Sequence, residues 1–289
     1  MTNLPIVVST CDLYKDAWNP FFRLLQINWE NCPKKVYLIT ESETYSDPYF
    51  DVTVLNHDSP IWSDRVINTL GKIDADHFWF FLEDFFLEDK VNTDIVNSAV
   101  NCIKAENNVG VIKFIPNIAP NWYNNTEKCW MGYEYFSQIP RESGARSNLM
   151  LALYNKNYFS KILRKNESPW DFEKFGTYRT RRYSEEVLVQ NNCLPLAFPY
   201  NYQIKYGFGI SARKWLKNNK QLFEKYNIEV NFENLGWYTG KEKVKIIGLK
   251  RSKKEKLLMP FKEPKMFYKI ISSIVKEKFY YLTHISHYF

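Results

Sequence analysis

The 289-residue chain predicts an α/β fold, a mostly parallel sheet flanked by helices with a basic C-terminal helical extension. Three observations point there. Short apolar, β-branched runs alternate with longer segments whose apolar residues recur at helical spacing, and the connections are brief. One run, His77–Asp89 (HFWFFLEDFFLED), begins as near-continuous apolar sequence, the mark of a strand buried on both faces. A hydrophobic content of 45% is enough to bury a sizeable core.

Leu4–Thr10 (LPIVVST) is the first strand, followed by a loop, Cys11–Tyr14. Residues 16–29 carry Trp18, Phe21, Phe22, Leu25 and Trp29 at helical spacing, with Pro20 near the start where proline is tolerated. Val36–Thr40 and Val52–Leu55 are the next strands. Ser63 reads as the N-cap of a helix whose apolar face is Val66, Leu70 and Ile73. The acidic run His77–Asp89 is the fourth strand, residues 91–105 a helix, and Val109–Ile115 the fifth strand. Pro116–Ser147 is irregular and aromatic. Leu149–Tyr154 returns to strand character and a helix covers Lys156–Lys165. Ser184–Gln190 reads as a short helix, Leu194–Pro199 as an apolar segment, and 217–225 as a helix. The organisation expected is one domain over 1–240, with halves 1–115 and 116–240, and an extension over 241–289.

Charge divides the same way. Residues 241–289 hold 13 Lys/Arg against 4 Asp/Glu, while the remainder is close to neutral. That excludes a broad nucleic-acid surface on the body and fits a tail meeting an anionic membrane; an ordinary packing helix is the other reading of the same pattern. Five scattered cysteines form neither a disulfide framework nor a zinc pattern, which fits a reducing, cytoplasmic setting. No leader segment or membrane-spanning run is expected. GxGxxG, Walker, GxSxG and HExxH motifs are absent, which disfavours nicotinamide enzymes, P-loop NTPases, α/β-hydrolases and zincins.

Three groups are candidates for chemistry. Thr10, Cys11, Asp12 and Tyr14 follow the first strand, where a carboxylate and an aromatic suit a nucleobase; a plain turn with Asp12 as local cap is the other reading. Glu83 and Asp84 end the fourth strand, where open α/β sheets place ligands. Their hard oxygens suit Mg²⁺ or Mn²⁺ bridging a diphosphate. Adjacent residues on an extended chain face opposite ways, so Asp84 is the expected metal ligand, with Glu83 turned to a ribose or an arginine. Asp171 and Glu173, in WDFE, offer a general base; a helix start with both acids at the positive end of the dipole is the alternative. Arg65, Arg146, Arg213 and Lys214 are cations available to a diphosphate.

CDLYKDAWNPFFRLL, VYLIT, WSDRV, FLEDFFL, SPWDFE and YGFGISARKW occur in this order over roughly residues 6–215. Together they resemble bacterial glycosyltransferases of capsule, exopolysaccharide and O-antigen synthesis. The resemblance implies a GT-A-type fold in which an acidic DxD-type motif binds a nucleotide sugar, usually through a divalent metal. Glu83-Asp84 takes that place, as ED followed by Phe. Thr10–Tyr14 would hold the base, Arg65 would sit near the ribose or diphosphate, and Asp171 and Glu173 would lie on the acceptor side. The activity implied is inverting transfer of a hexose, such as galactose or galactofuranose, from a UDP-sugar to a lipid-linked oligosaccharide at the cytoplasmic membrane face. A non-catalytic sugar-binding scaffold and a two-metal nucleotidyltransferase are the competing classes.

Overall fold

The computed structural model describes residues 4–57, 59–114, 129–144, 146–191, 194–201, 208–240 and 275. β1 (Ile6–Ser9) is central, paired in parallel with β2 (Lys35–Thr40) and β4 (His77–Leu82). β2 pairs in parallel with β3 (Asp51–Asn56). Beyond β4 lie β7 (Ala152–Asn155), β5 (Val109–Lys113), β8 (Glu186–Gln190) and β6 (Phe136–Gln138). The eight-stranded order is β3-β2-β1-β4-β7-β5-β8-β6, with β7 and β6 antiparallel to their neighbours. This is the mixed, mostly parallel sheet that the sequence predicts.

Helices cover both faces, and β4 shows why. Its side chains alternate, as a pleated strand requires. Trp79 and Phe81 pack into one core with Phe21 and Leu25 of α1 (Trp18–Asn28) and Ile95 of α3 (Thr93–Ala105). Phe78 and Phe80 pack into the other with Val66 of α2 (Trp62–Leu70) and Phe159 of α4 (Lys156–Ile162). A strand buried twice cannot alternate polar and apolar, hence the unbroken HFWFFL.

The chain goes from β1 outward to β2 and β3, then returns through α2 to β4 on the other side of β1. The strand order therefore reverses between β1 and β4. The crevice beyond their carboxyl ends is where such a sheet opens a binding site.

Four local features differ from the sequence reading. Ser184–Gln190 contains a strand: Glu186–Gln190 is β8, parallel to β5, and EVLVQ is buried there between two neighbours. β6 is only three residues long, too short for periodicity to reveal. Residues 12–17 form a 3-10 helix rather than a plain loop. Ser63 does not cap α2, whose N-cap is Ile61; its hydroxyl instead accepts the Glu167 amide at 2.9 Å, tying α2 to a distant loop. The extension over 241–289 lies outside the described residues except Val275, as does all of 115–128. Among the described residues, no helix is long and apolar enough to cross a membrane.

Candidate active site

The acids at the end of β4 leave the strand at once. β4 stops at Leu82, and Glu83 and Asp84 form a turn, so the opposite-faces rule does not apply to them. Phe85, Phe86 and Leu87 dive back into the core. Phe85 packs on Phe208 (ring centroids 4.3 Å) and Phe86 on Phe223 (5.0 Å), so the second apolar run welds the strand end to the chain around 208–223.

That weld carries a hairpin. β9 (Ile210–Ser211) and β10 (Lys214–Trp215) pair antiparallel around Ala212 and Arg213, both at positive φ (+49° and +63°). Two left-handed central residues define the tight turn that matches strand twist, usually built from Asn and Gly. Asp84 anchors this hairpin twice. Its carbonyl accepts the Gly209 amide at 3.1 Å, and its Oδ2 accepts the Ile210 amide at 3.2 Å. Gly209 has no room for a side chain, since a Cβ would lie 2.1 Å from Phe86 Cε2.

Glu83 and Asp84 are both buried. Burial raises both carboxyls above their ordinary range. The neighbouring Asp84 charge raises Glu83 further, while the Thr10 hydroxyl and the Ile210 amide work against the shift in Glu83 and Asp84 respectively. The same field reaches the β1 loop. Burial, then Glu83 and Glu41, push the Cys11 thiol up to about 12, so it stays neutral. Tyr14 is raised by burial and by Glu83, Cys11 and Asp84, and lowered by Arg213. Thr10, Cys11, Tyr14, Glu83 and Asp84 thus lie within electrostatic reach of one another at the carboxyl ends of β1 and β4, and the hairpin seated on Asp84 brings Arg213 within reach of Tyr14.

Asp12 and Arg65 stand in an adjoining network joined by Glu41, which periodicity gave no reason to single out. Asp12 accepts from the amides of Glu41, Ser42 and Glu43 and from the Ser42 hydroxyl. Burial opposes ionisation of Asp12, but these bonds hold its carboxyl below the usual value. Glu41 accepts the Asp12 amide at 3.0 Å and pairs with Arg65 Nη1 at 3.4 Å. Arg65 is buried and also donates to the Ser59 carbonyl, while its Nε lacks a protein partner.

Two cations stand elsewhere. Arg146 is buried, bonded to the Ile139 carbonyl and Thr180 Oγ1, and so is not a free phosphate ligand. Lys214 Nζ lies against Gly236.

Asp171 and Glu173 form a second group. Ser168 caps α5 (Pro169–Asp171), and Asp171 Oδ2 accepts the Ser168 amide (3.1 Å) and hydroxyl (2.8 Å), a capping box. The helix-start reading therefore describes Asp171. Glu173 lies in the following π-turn, Phe172–Gly176, where its Oε1 accepts the Leu149 amide at 2.8 Å. Burial raises its carboxyl; that amide and Lys113 pull it back. Lys113 is the lone charge inside VGVIKFI, a signal the sequence did offer. It is fully buried, donating to the Asn148 carbonyl (2.8 Å) and Oδ1 (2.9 Å), and burial lowers it to about 7. Phe172 packs on Trp62 (5.5 Å), and Trp62 Nε1 donates to Ser9 Oγ at the end of β1 (2.9 Å), which ties this group to the same sheet edge.

Asp84 on its own makes an incomplete seat for a divalent ion. Oδ2 is engaged with an amide, and among the described residues no group of three or more His, Cys, Asp or Glu side chains can hold a metal. A Mg²⁺ or Mn²⁺ ion bound to protein wants several convergent oxygens or bound waters.

No protein-family model matches the chain, and no curated protein is a significant match. Several solved structures are similar. Residues 1–349 of S. aureus TarS in complex with UDP align at TM-score 0.44 and 11% identity, covering 65% of this chain and 57% of that one. Glucosyl-3-phosphoglycerate synthase from Mycobacterium tuberculosis aligns at 0.39 and 10%, covering 63% and 67%. A cytidylyltransferase from Leptospira borgpetersenii aligns at 0.39 and 10%, covering 64% and 75%. At such identities and scores, the function rests on the site.

Proposed function

We propose that the chain is a glycosyltransferase that moves a sugar from a nucleoside-diphosphate donor, UDP-sugar in the first instance, to a lipid-linked glycan acceptor. The observation that carries the reading is the buried pair Glu83-Asp84 at the β1/β4 reversal, within electrostatic reach of Tyr14 and bonded to the hairpin that bears Arg213. Tyr14 offers an aromatic face to a base and Arg213 a forked cation to a phosphate. The acceptor oxygen bonds to the anomeric carbon as the bond from that carbon to the diphosphate oxygen breaks, and its electron pair leaves with the diphosphate. Glu173 takes the hydroxyl proton. Its raised carboxyl is a stronger base than an exposed one, whereas Asp171 is committed to its cap. Direct displacement inverts the anomeric centre. In this reading the basic segment 241–289 meets the anionic inner face of the cytoplasmic membrane, where the acceptor resides.

The test is a screen for nucleotide release from UDP-, GDP- and CDP-sugars, with and without EDTA, using membrane lipids as acceptor. Release of UDP from one donor supports the reading. Pyrophosphate release from a nucleoside triphosphate would assign nucleotidyl transfer instead, and no nucleotide binding at all would leave a scaffold.

A further inference from the structure

Asp84 stands where the sequence leads one to expect a metal ligand, yet the bonds it makes hold a hairpin. Its carbonyl and Oδ2 hold Gly209 and Ile210, the residues that start the hairpin. The hold is reinforced from the other side: the Gly209 carbonyl accepts the Leu216 amide at 3.0 Å and the Asn219 side chain. Asn219 is fully buried and bonded in turn to Asn201, which accepts from and donates to Phe86. Everything around the hairpin base is fixed to the strand end that bears the acids.

What the hairpin presents is Arg213. It stands at the tip, exposed, at φ +63°, a left-handed conformation that a side chain bears at a cost. Ala212 beside it is left-handed too, so the strain is doubled where glycine or asparagine would relieve it. Strain of this kind persists only where the surroundings hold it, and here they do. Because the hairpin base is bonded to Asp84, Arg213 stands on the element next to the strand end that bears the acids, and its charge reaches Tyr14. Lys214, one residue on, has its Nζ against Gly236, which leaves Arg213 as the hairpin's exposed cation.

We infer that the departing nucleoside diphosphate is stabilised by Arg213 on an Asp84-anchored hairpin in place of a divalent ion bound by Asp84; this rests on the glycosyl-transfer reading above. A planar fork of donors meets two phosphate oxygens at once, and it needs no further ligands from the protein. Asp84 is then a positioning residue: its carboxylate sets where the cation stands.

Isothermal titration of the full chain with UDP, GDP and CDP, in EDTA and in Mn²⁺, decides the matter. One nucleotide is expected to bind in EDTA, with little gain from Mn²⁺. Arg213→Ala should weaken that binding about tenfold or more while the melting temperature of the free chain is unchanged, because a charge-assisted bond to phosphate is lost from an exposed side chain. Arg213→Lys should restore part of it, keeping charge without the fork. Binding only with Mn²⁺, or equal affinity of Arg213→Ala in EDTA, overturns the inference while the glycosyl-transfer reading stands. Binding of no nucleotide in either buffer removes that reading, and the inference with it.

Discussion

Lys113 lies fully buried at the carboxyl end of β5, with its ammonium on the Asn148 carbonyl and side chain. Burial costs the charged form, and the nearby Glu173 only partly offsets it, so the group falls from 10.5 to about 7. In the unfolded chain the same lysine keeps its proton to high pH. Between roughly pH 7 and 10 the unfolded state therefore binds more protons, and stability rises with pH by at most ~1.4 kcal/mol per unit. The difference in unfolding free energy between wild type and Lys113→Met should move in favour of wild type from pH 7 to pH 9, as read by urea denaturation; a flat difference would show that the lysine keeps its charge in the fold. Glu173 gives a kinetic counterpart. Glu173→Gln keeps an acceptor for the Leu149 amide but loses the carboxylate proposed as base, so turnover should drop by about 10²–10⁴ with donor affinity preserved. Loss of affinity in step with turnover would assign Glu173 to binding instead. At this scale the acids were legible because carboxylates are costly in an apolar run; Lys113 carried the same signal and was passed over within its strand. Glu41 was not. It is exposed, surrounded by polar sequence, and acquires meaning only when β2 and α2 bring Asp12 and Arg65 to it.

The hairpin from Ile210 to Trp215 is the element on which the site turns. Gly209→Ala would drive a methyl into the Phe86 ring, which is itself held between Trp215 and Phe223. Overpacking of this kind costs about 1–3 kcal/mol, and the displaced hairpin should carry Arg213 away, so stability and nucleotide affinity fall together. Adding Phe86→Leu should return part of both; if the double variant is no better than the single one, the clash is not the cause. Elements with a long period were readable from sequence: α1 and α3 fall within a few residues of the ranges their apolar spacing predicts. β8 was misread as helix because EVLVQ has no alternation to betray it. A strand flanked on both sides and covered on both faces is apolar throughout, and five residues are too few to separate that from one and a half helical turns. The hairpin was equally hidden, since Ala212-Arg213 carries none of the usual turn residues.

For the whole molecule, the sheet class followed from counting runs, but the order of strands did not. Reversal between β1 and β4 is a tertiary fact, and it is what makes two acids at a strand end a candidate site. Charge is the other property of the whole chain. The tail from 241 onward holds 13 Lys/Arg against 4 Asp/Glu, and the rest balances near zero, so any attraction to an anionic surface is concentrated in one segment. Lysines beside an anionic bilayer contribute about 1 kcal/mol each at most, and the field decays within a Debye length of ~10 Å at 0.1 M salt. The full chain should therefore cosediment with phosphatidylglycerol vesicles at low salt, bind phosphatidylcholine vesicles weakly, and detach as salt rises. Deletion of 241–289 should abolish sedimentation with either lipid while nucleotide affinity is retained. If the shortened chain still binds anionic vesicles, the contact lies on the body; if binding survives molar salt, apolar insertion rather than charge holds the protein there.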